Sequence, residues 1–153
     1  MTEGVRAALD SVPEITRAVT RGAARLLSDL GQGVLTEFSL ATGRRVDVIG
    51  IDRSGAVTVI EVKASVADFK GDRKWRDYLD FCDQFYFAVA VDFPRDLLPE
   101  EGNCGIIIAD RFGAEILREA KVEKLSAARR KAVTLRFART ASQRLQTMLD
   151  PSL

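Results

Sequence analysis

The sequence predicts an α/β (α+β) domain, a mixed β-sheet flanked by helices in the order α-β-β-β-α-β-β-β-α. Three observations predict it. Short runs rich in Val, Ile and Phe are separated by Gly-bearing turns, as pleated strands require. Apolar residues recur at helical spacing near both ends of the chain. Between them, Phe85 to Val91 is uniformly apolar, which suits a strand buried on both faces.

The elements follow in order. Residues 1–10 are expected to fray, and a single domain to span residues 11–149. Ser11-Val12-Pro13-Glu14 is a helix start, with Ser three before Glu and Pro in the first turn. Ile15, Ala18, Val19, Leu26, Leu27 and Leu30 carry the apolar stripe to Gly31. Three strands come next: Val34 to Leu40, Val46 to Ile51 and Val57 to Lys63. Ser65 and Asp68 open a helix expected to reach Cys82, with a possible break at Gly71, and Trp75, Leu79 and Cys82 facing inward. The segment from Asp92 to Asn103 holds two prolines and reads as a loop or short helical turn. Gly105 to Ala109 and Ala114 to Arg118 form a last hairpin around Asp110-Arg111-Phe112-Gly113. Residues 126–149 form a long final helix. The sequence shows no internal repeat, linker or low-complexity tract.

The hairpin turns carry the sharpest inference. Ala41-Thr42-Gly43 and Arg53-Ser54-Gly55 each read as a three-residue loop, a type I turn closed by a left-handed Gly. Leu40 then faces Arg44, and Asp52 faces Ala56. Counting along the strands places Glu37 opposite Asp47 and Asp47 opposite Glu61. Directly opposed side chains lie about 5 Å apart on one face, and Lys63 shares that face because it is two residues from Glu61. A slip of one residue would scatter the row. Acids inside Val/Ile runs are costly unless they are paired or hold a metal.

Composition narrows the chemistry. The chain contains no His and only Cys82 and Cys104, far apart and unpatterned. A His/Cys zinc site and any triad that needs an imidazole are thereby excluded. Oxygen ligands in a row point to a hard divalent cation, Mg²⁺ or Mn²⁺. With 153 residues and 46% hydrophobic content, the chain is long enough to bury a real core. No apolar run approaches the roughly 20 residues of a membrane span, and no charged-then-apolar leader is present. Two unpaired thiols fit a reducing, cytoplasmic setting. Net charge is +1, but it is polarised: residues 121–149 hold eight Lys/Arg and one acid, whereas the rest of the chain is net acidic.

Asp47 followed by Glu61-Val62-Lys63 on the next strand resembles the PD-(D/E)XK nuclease superfamily. Longer stretches resemble MmcB-like DNA repair proteins: Gly43-Arg44-Arg45-Val46-Asp47, Glu61 through Phe69, Lys74 through Asp83, Phe85-Tyr86-Phe87-Ala88-Val89, Ala109 through Glu115 and Ser126 through Lys131. The resemblance covers nearly the whole chain beyond about residue 12. Val46 stands where the superfamily's name has Pro, at a position that is not a ligand.

The resemblance implies a restriction-endonuclease-like fold and a Mg²⁺- or Mn²⁺-dependent deoxyribonuclease acting on structured or damaged DNA in repair. It also implies a set of roles. Asp47, Glu61 and the Val62 carbonyl would hold the metal, with Glu37 as an auxiliary ligand or a solvent-facing strand acid. Lys63 would orient or deprotonate the attacking water. Glu14 would lend a helix-borne carboxylate, although its capping position already accounts for it. Lys74 and Tyr78 look like the polar-plus-tyrosine pair that some relatives place beside the metal. A plainer reading pairs Asp47 and Glu61 with Arg44 or Arg45, pairs Lys63 with either acid, and makes Trp75 core. Asp72, Asp77 and Asp80 read as solvated.

Arg17, Arg21 and Arg25 recur every four residues off the apolar stripe; Arg129, Arg130, Arg136, Arg139 and Arg144 do so less regularly. Both rows read either as solvated helix faces or as DNA phosphate contacts. Two other functions stay open beside the nuclease. One is a catalytically lapsed module that binds DNA or a repair partner; the other is an RNA-processing nuclease. A repair-protein partner or a homodimer is compatible with a chain of this size.

Overall fold

Gly43 and Gly55 both adopt φ of +86° in the computed structural model, the left-handed conformation that the two turns require. Leu40 and Arg44 close the first turn through Leu40 N–H to Arg44 O at 2.7 Å, and Asp52 and Ala56 close the second at 3.0 Å. The structure describes residues 11–71 and 74–152. The expected fraying of residues 1–10 and the solvated Asp72 lie outside these.

Helix α1 (Val12–Asp29) begins at Ser11, whose hydroxyl accepts the Glu14 N–H. It is followed by β1 (Gly33–Ser39), β2 (Arg45–Ile51) and β3 (Val57–Val62). A short helix α2 (Val66–Gly71) and a 3₁₀ helix (Trp75–Phe81) lead to β4 (Gln84–Val89). A 3₁₀ turn (Arg95–Leu97) precedes β5 (Gly105–Ala109) and β6 (Ala114–Arg118), and α3 (Ala127–Leu149) closes the fold. The strands form one six-stranded sheet in chain order. Pairing is antiparallel for β1–β2, β2–β3 and β5–β6, and parallel for β3–β4 and β4–β5. The architecture is the mixed sheet flanked by helices that the sequence predicts.

Two apolar layers hold the sheet. On one face, α1 packs Val19, Ala23 and Leu27 against Val48, Ile60, Val62 and Ile107. On the other, Ile49, Val59, Phe85 and Phe87 meet Trp75, Phe81 and Val133. Val57 to Val62 and Phe85 to Val89 are buried along their length, as strands covered on both faces must be. Leu30 is not part of the α1 stripe; it caps the helix and is exposed. The last expected residues of β4, Ala90 and Val91, leave the sheet as the chain turns into the following loop.

The helix expected from Ser65 to Cys82 ends at Gly71, and its second half is 3₁₀. The reason is aromatic spacing. Trp75, Tyr78 and Phe81 are three residues apart, so three residues per turn brings all three to one side. Trp75 stacks on Phe85 at 5.5 Å between ring centroids, and Tyr78 does so at 6.1 Å. Trp75 is a core residue. Among the described residues, no helix is long and apolar enough to cross a membrane.

Candidate active site

Strand alternation breaks where the acids lie. Leu35 and Phe38 both pack toward the aromatic layer, as do Val46 and Ile49, so the pleat slips on both strands between those residues. The flanking pairs Thr36–Val48 and Phe38–Val46 keep Glu37 across from Asp47. Glu37 absorbs the slip with φ of +49°, unusual for a residue with a side chain. Arg144 of α3 donates to the Thr36 and Glu37 carbonyls at this kink, at 2.6 and 2.8 Å.

The β2–β3 ladder runs from Ile51–Val57 to Val48–Ile60, and one further step puts Asp47 across from Glu61. There, side chains take over from the backbone. The Val62 N–H donates to Asp47 Oδ2 at 2.7 Å, and the Asp47 N–H donates to Glu61 Oε1 at 3.2 Å. Each carboxylate is thus braced on the neighbouring strand. The Lys63 N–H donates to the Ala88 carbonyl at 3.0 Å, which ties the end of β3 to β4. Glu61 and Lys63 are buried, and Asp47 is half-buried.

The electrostatics are those of a crowded acidic site. Burial pushes the Asp47 carboxyl above its ordinary range, against the Val62 N–H and Lys63, which favour the charged form. Asp68 and Glu37 push it further up by like-charge repulsion. Lys63 Nζ lies 3.7 Å from Asp68 Oδ1, and the Asp68 side chain is half-exposed. Asp68 thus meets the candidate site through Lys63, whereas its local sequence pattern signals only a helix start. Its N–H donates to the Ser65 hydroxyl, a capping contact, at 3.1 Å. Nothing in the local pattern signals that its carboxylate folds back toward the lysine of the preceding strand.

All the donors here are oxygens, and a cation would relieve the repulsion around Asp47. The residues therefore fit a hard divalent ion. Among the described residues, no three His, Cys, Asp or Glu side chains converge closely enough to enclose an ion by themselves. Two carboxylates and a backbone oxygen, with water and phosphate completing the shell, is the usual way Mg²⁺ is held. Exposed Glu37 sits within electrostatic reach of Asp47 but does not complete a three-carboxylate cluster.

A family model described as "DNA repair protein MmcB-like" matches residues 6–152. The chain belongs to the MmcB-like family. Its fold is consistent with the PD-(D/E)XK superfamily. A solved structure described as SPO1766, a protein of unknown function from Silicibacter pomeroyi, is 45% identical and superposes with a TM-score of 0.85. The match covers 90% of this chain and 92% of that one. No curated protein matches.

The other expected residues of this MmcB-like chain have distinct placements. Arg44 is bonded to Asp77 at 3.2 Å and to the Lys74 carbonyl at 3.1 Å, and lies over the Tyr78 ring. The strand acids therefore do not draw on Arg44. Tyr78 is held between that guanidinium and Phe85, in the aromatic layer. Lys74 is exposed at the start of the 3₁₀ helix, and Glu14 is exposed in the first turn of α1. Arg17 and Arg21 are exposed on α1, whereas Arg25 donates to the Phe112 carbonyl. Asp77 pairs with Arg44, and Asp80 is exposed.

Arg130 has a different part from the one expected. Its guanidinium grips both oxygens of buried Asp83, at 2.7 and 2.8 Å, and donates to the Gly55 carbonyl at 2.7 Å. Asp83 also accepts the Val57 and Leu125 N–H groups. A guanidinium held this way is a strut between α3 and the sheet. Arg129 lies over the Phe81 ring, 4.6 Å from its centroid, and Arg136 is exposed.

Proposed function

We propose that this protein acts in DNA repair as a divalent-metal-dependent nuclease that hydrolyses phosphodiester bonds of structured or damaged DNA. The observation that supports it best is the reciprocal bracing of Asp47 and Glu61, beside buried Lys63. Asp47, Glu61 and the Val62 carbonyl would hold Mg²⁺ or Mn²⁺. When bound, such an ion polarises a scissile phosphate and acidifies a water molecule.

The chain's own residues do the rest. The Val62 and Asp47 N–H groups fix the two carboxylates before any ion arrives, so little ordering is left for binding. Lys63 brings a positive charge to a nearly water-free position, where it orients the attacking water and offsets charge developing on phosphate. Asp68 positions Lys63 from the helix that follows it. Arg17 and Arg21 extend a positive face suited to backbone phosphates, and each such contact steepens the salt dependence of binding.

The test is cleavage of single-stranded, duplex, flapped and branched DNA, and of RNA, with Mg²⁺ and with Mn²⁺. Metal-dependent cutting of DNA that disappears in Asp47→Ala and Lys63→Ala supports the proposal. Cutting that persists in both variants comes from a contaminant and overturns it. Salt-sensitive DNA binding without cutting identifies a lapsed binding module, a reading that the Lys63–Asp68 ion pair also accommodates. Preferential cutting of RNA reassigns the substrate.

A further inference from the structure

Helix α3 lies over the aromatic layer without closing on it. Of its residues only Val133 is fully buried. Between the helix, the β1–β2 turn and the 3₁₀ helix runs a groove of about 730 Å³. Its floor is apolar, formed by Phe38, Leu40 and Phe81. Arg129, Arg136 and Arg139 line it, and no Asp or Glu does. Leu135, more than half exposed, adds an apolar side chain to the same lining.

Charge defines the occupant. The helix carries Arg129, Arg130, Lys131, Arg136, Arg139 and Arg144 and not one acid. Two copies pairing through this helix would set like charges face to face. Among the described residues, no carboxylate pairs with Arg136 or Arg139. The ligand is therefore anionic. It is also apolar in part, because a phosphate backbone has no use for a recess walled by Leu135, Ala128 and Ala132, all exposed. Unpaired bases would want exposed rings to stack on, yet this exposed apolar lining is aliphatic, and Phe38 and Phe81 are buried.

We propose that this groove docks an acidic peptide segment of a partner protein, with apolar anchors against its exposed aliphatic wall and carboxylates on the three arginines. Arginine beside an apolar recess is the composition typical of an interface core. Asp47, Glu61 and Lys63 are not among the residues lining the groove, so partner docking and phosphodiester chemistry can fail independently.

The probe is a short fluorescein-labelled peptide with Leu and Phe set between Asp and Glu residues, titrated into the full chain by fluorescence anisotropy. A matched peptide with Lys in place of the acids and a single-stranded oligonucleotide serve as competitors. The acidic peptide is expected to bind, and Arg136→Glu/Arg139→Glu and Ala132→Trp are each expected to weaken it by about ten-fold or more. Ala132 is exposed in the groove lining, so the Trp side chain obstructs the groove without entering the core. Unchanged thermal melting shows that the variants fold, and Asp47→Ala is expected to bind the peptide normally. Absence of binding, or binding insensitive to Ala132→Trp, overturns the proposal. So does displacement by the oligonucleotide alone, which gives the groove to nucleic acid. Concentration-dependent self-association lost in Ala132→Trp gives it to a second copy and overturns it equally.

Discussion

Asp47 and Glu61 are bound through each other's strands: Asp47 takes the N–H of Val62, the residue after Glu61, while Glu61 takes the N–H of Asp47 itself. The ladder between β2 and β3 stops one step earlier, at Val48–Ile60. Two carboxylates therefore do at this position what backbone carbonyls do elsewhere in the sheet. They satisfy buried donors and are in turn held rigid by them.

That arrangement carries an electrostatic cost that substitution should reveal. Asp47 has its pKa raised by burial and by neighbouring charge, so its ionised form destabilises the metal-free protein at neutral pH. Folding favours the protonated form. The group's contribution is thus fully present below its unfolded pKa and lost as pH rises through the folded value. Asp47→Asn keeps an oxygen for the Val62 N–H and removes the charge. Its melting temperature without metal should exceed that of the parent at neutral pH, and the two should converge in acid. The same variant should lose the stabilisation that Mg²⁺ or Mn²⁺ gives the parent. Differential scanning fluorimetry with and without metal measures both.

Asp68 should matter to cleavage and little to folding. Its side chain is half-exposed, and its visible partner is Lys63 at 3.7 Å. Asp68→Asn leaves the capping geometry of α2 in place, because Ser65 accepts the backbone N–H and not the side chain. Residues that orient a working side chain typically matter by about 10–100-fold. Single-turnover cleavage should fall within that range while DNA affinity and melting stay unchanged. A variant as active as the parent removes Asp68 from the site.

Glu37 separates strain from ligation. A residue with a Cβ in the left-handed region costs about 1–2 kcal/mol relative to Gly. Glu37→Gly should therefore stabilise the protein by about 1 kcal/mol in urea denaturation. Full metal affinity in that variant, read by isothermal titration, is the expected outcome for a residue outside the ligand set.

The Asp83–Arg130 pair should behave as a structural strut. Burial alone would raise the Asp83 carboxyl, but the Arg130 bonds and the Val57 and Leu125 N–H groups outweigh it and hold it below the ordinary carboxylate range. Its stabilisation is present at neutral pH and disappears as pH falls below about 4, through the depressed folded value. Removing one partner of a buried pair costs about 3–5 kcal/mol. Arg130→Ala should lose about 3 kcal/mol in chemical denaturation. Asp83→Asn should flatten the decline in stability on acidification. If Arg130→Ala is neutral for stability and weakens only DNA binding, the arginine faces phosphate after all.

The strand register was legible in the chain because local chemistry sets it. Two three-residue turns closed by Gly43 and Gly55 leave one alignment of β1, β2 and β3, so Glu37, Asp47 and Glu61 could be matched by counting. The helix starts at Ser11 and Ser126 were equally plain, since a capping side chain acts within one turn. The 3₁₀ course of Trp75–Phe81 was not. Its aromatics fit either helical period, and only packing on Phe85 selects three residues per turn.

Tertiary structure alone decided which charges meet. Arg130 and Arg136 look alike in a basic helix, yet one is bound to a buried aspartate just before distant β4 and the other lines an open groove. The kink at Glu37 needs Arg144, more than a hundred residues away in sequence, to satisfy its carbonyls. Asp68 reaches Lys63 because α2 folds back over the end of β3. Turns and caps are short-range interactions that a few neighbouring residues determine. Ion pairing depends on distances across the fold, and these exist only once the sheet and its helices have packed.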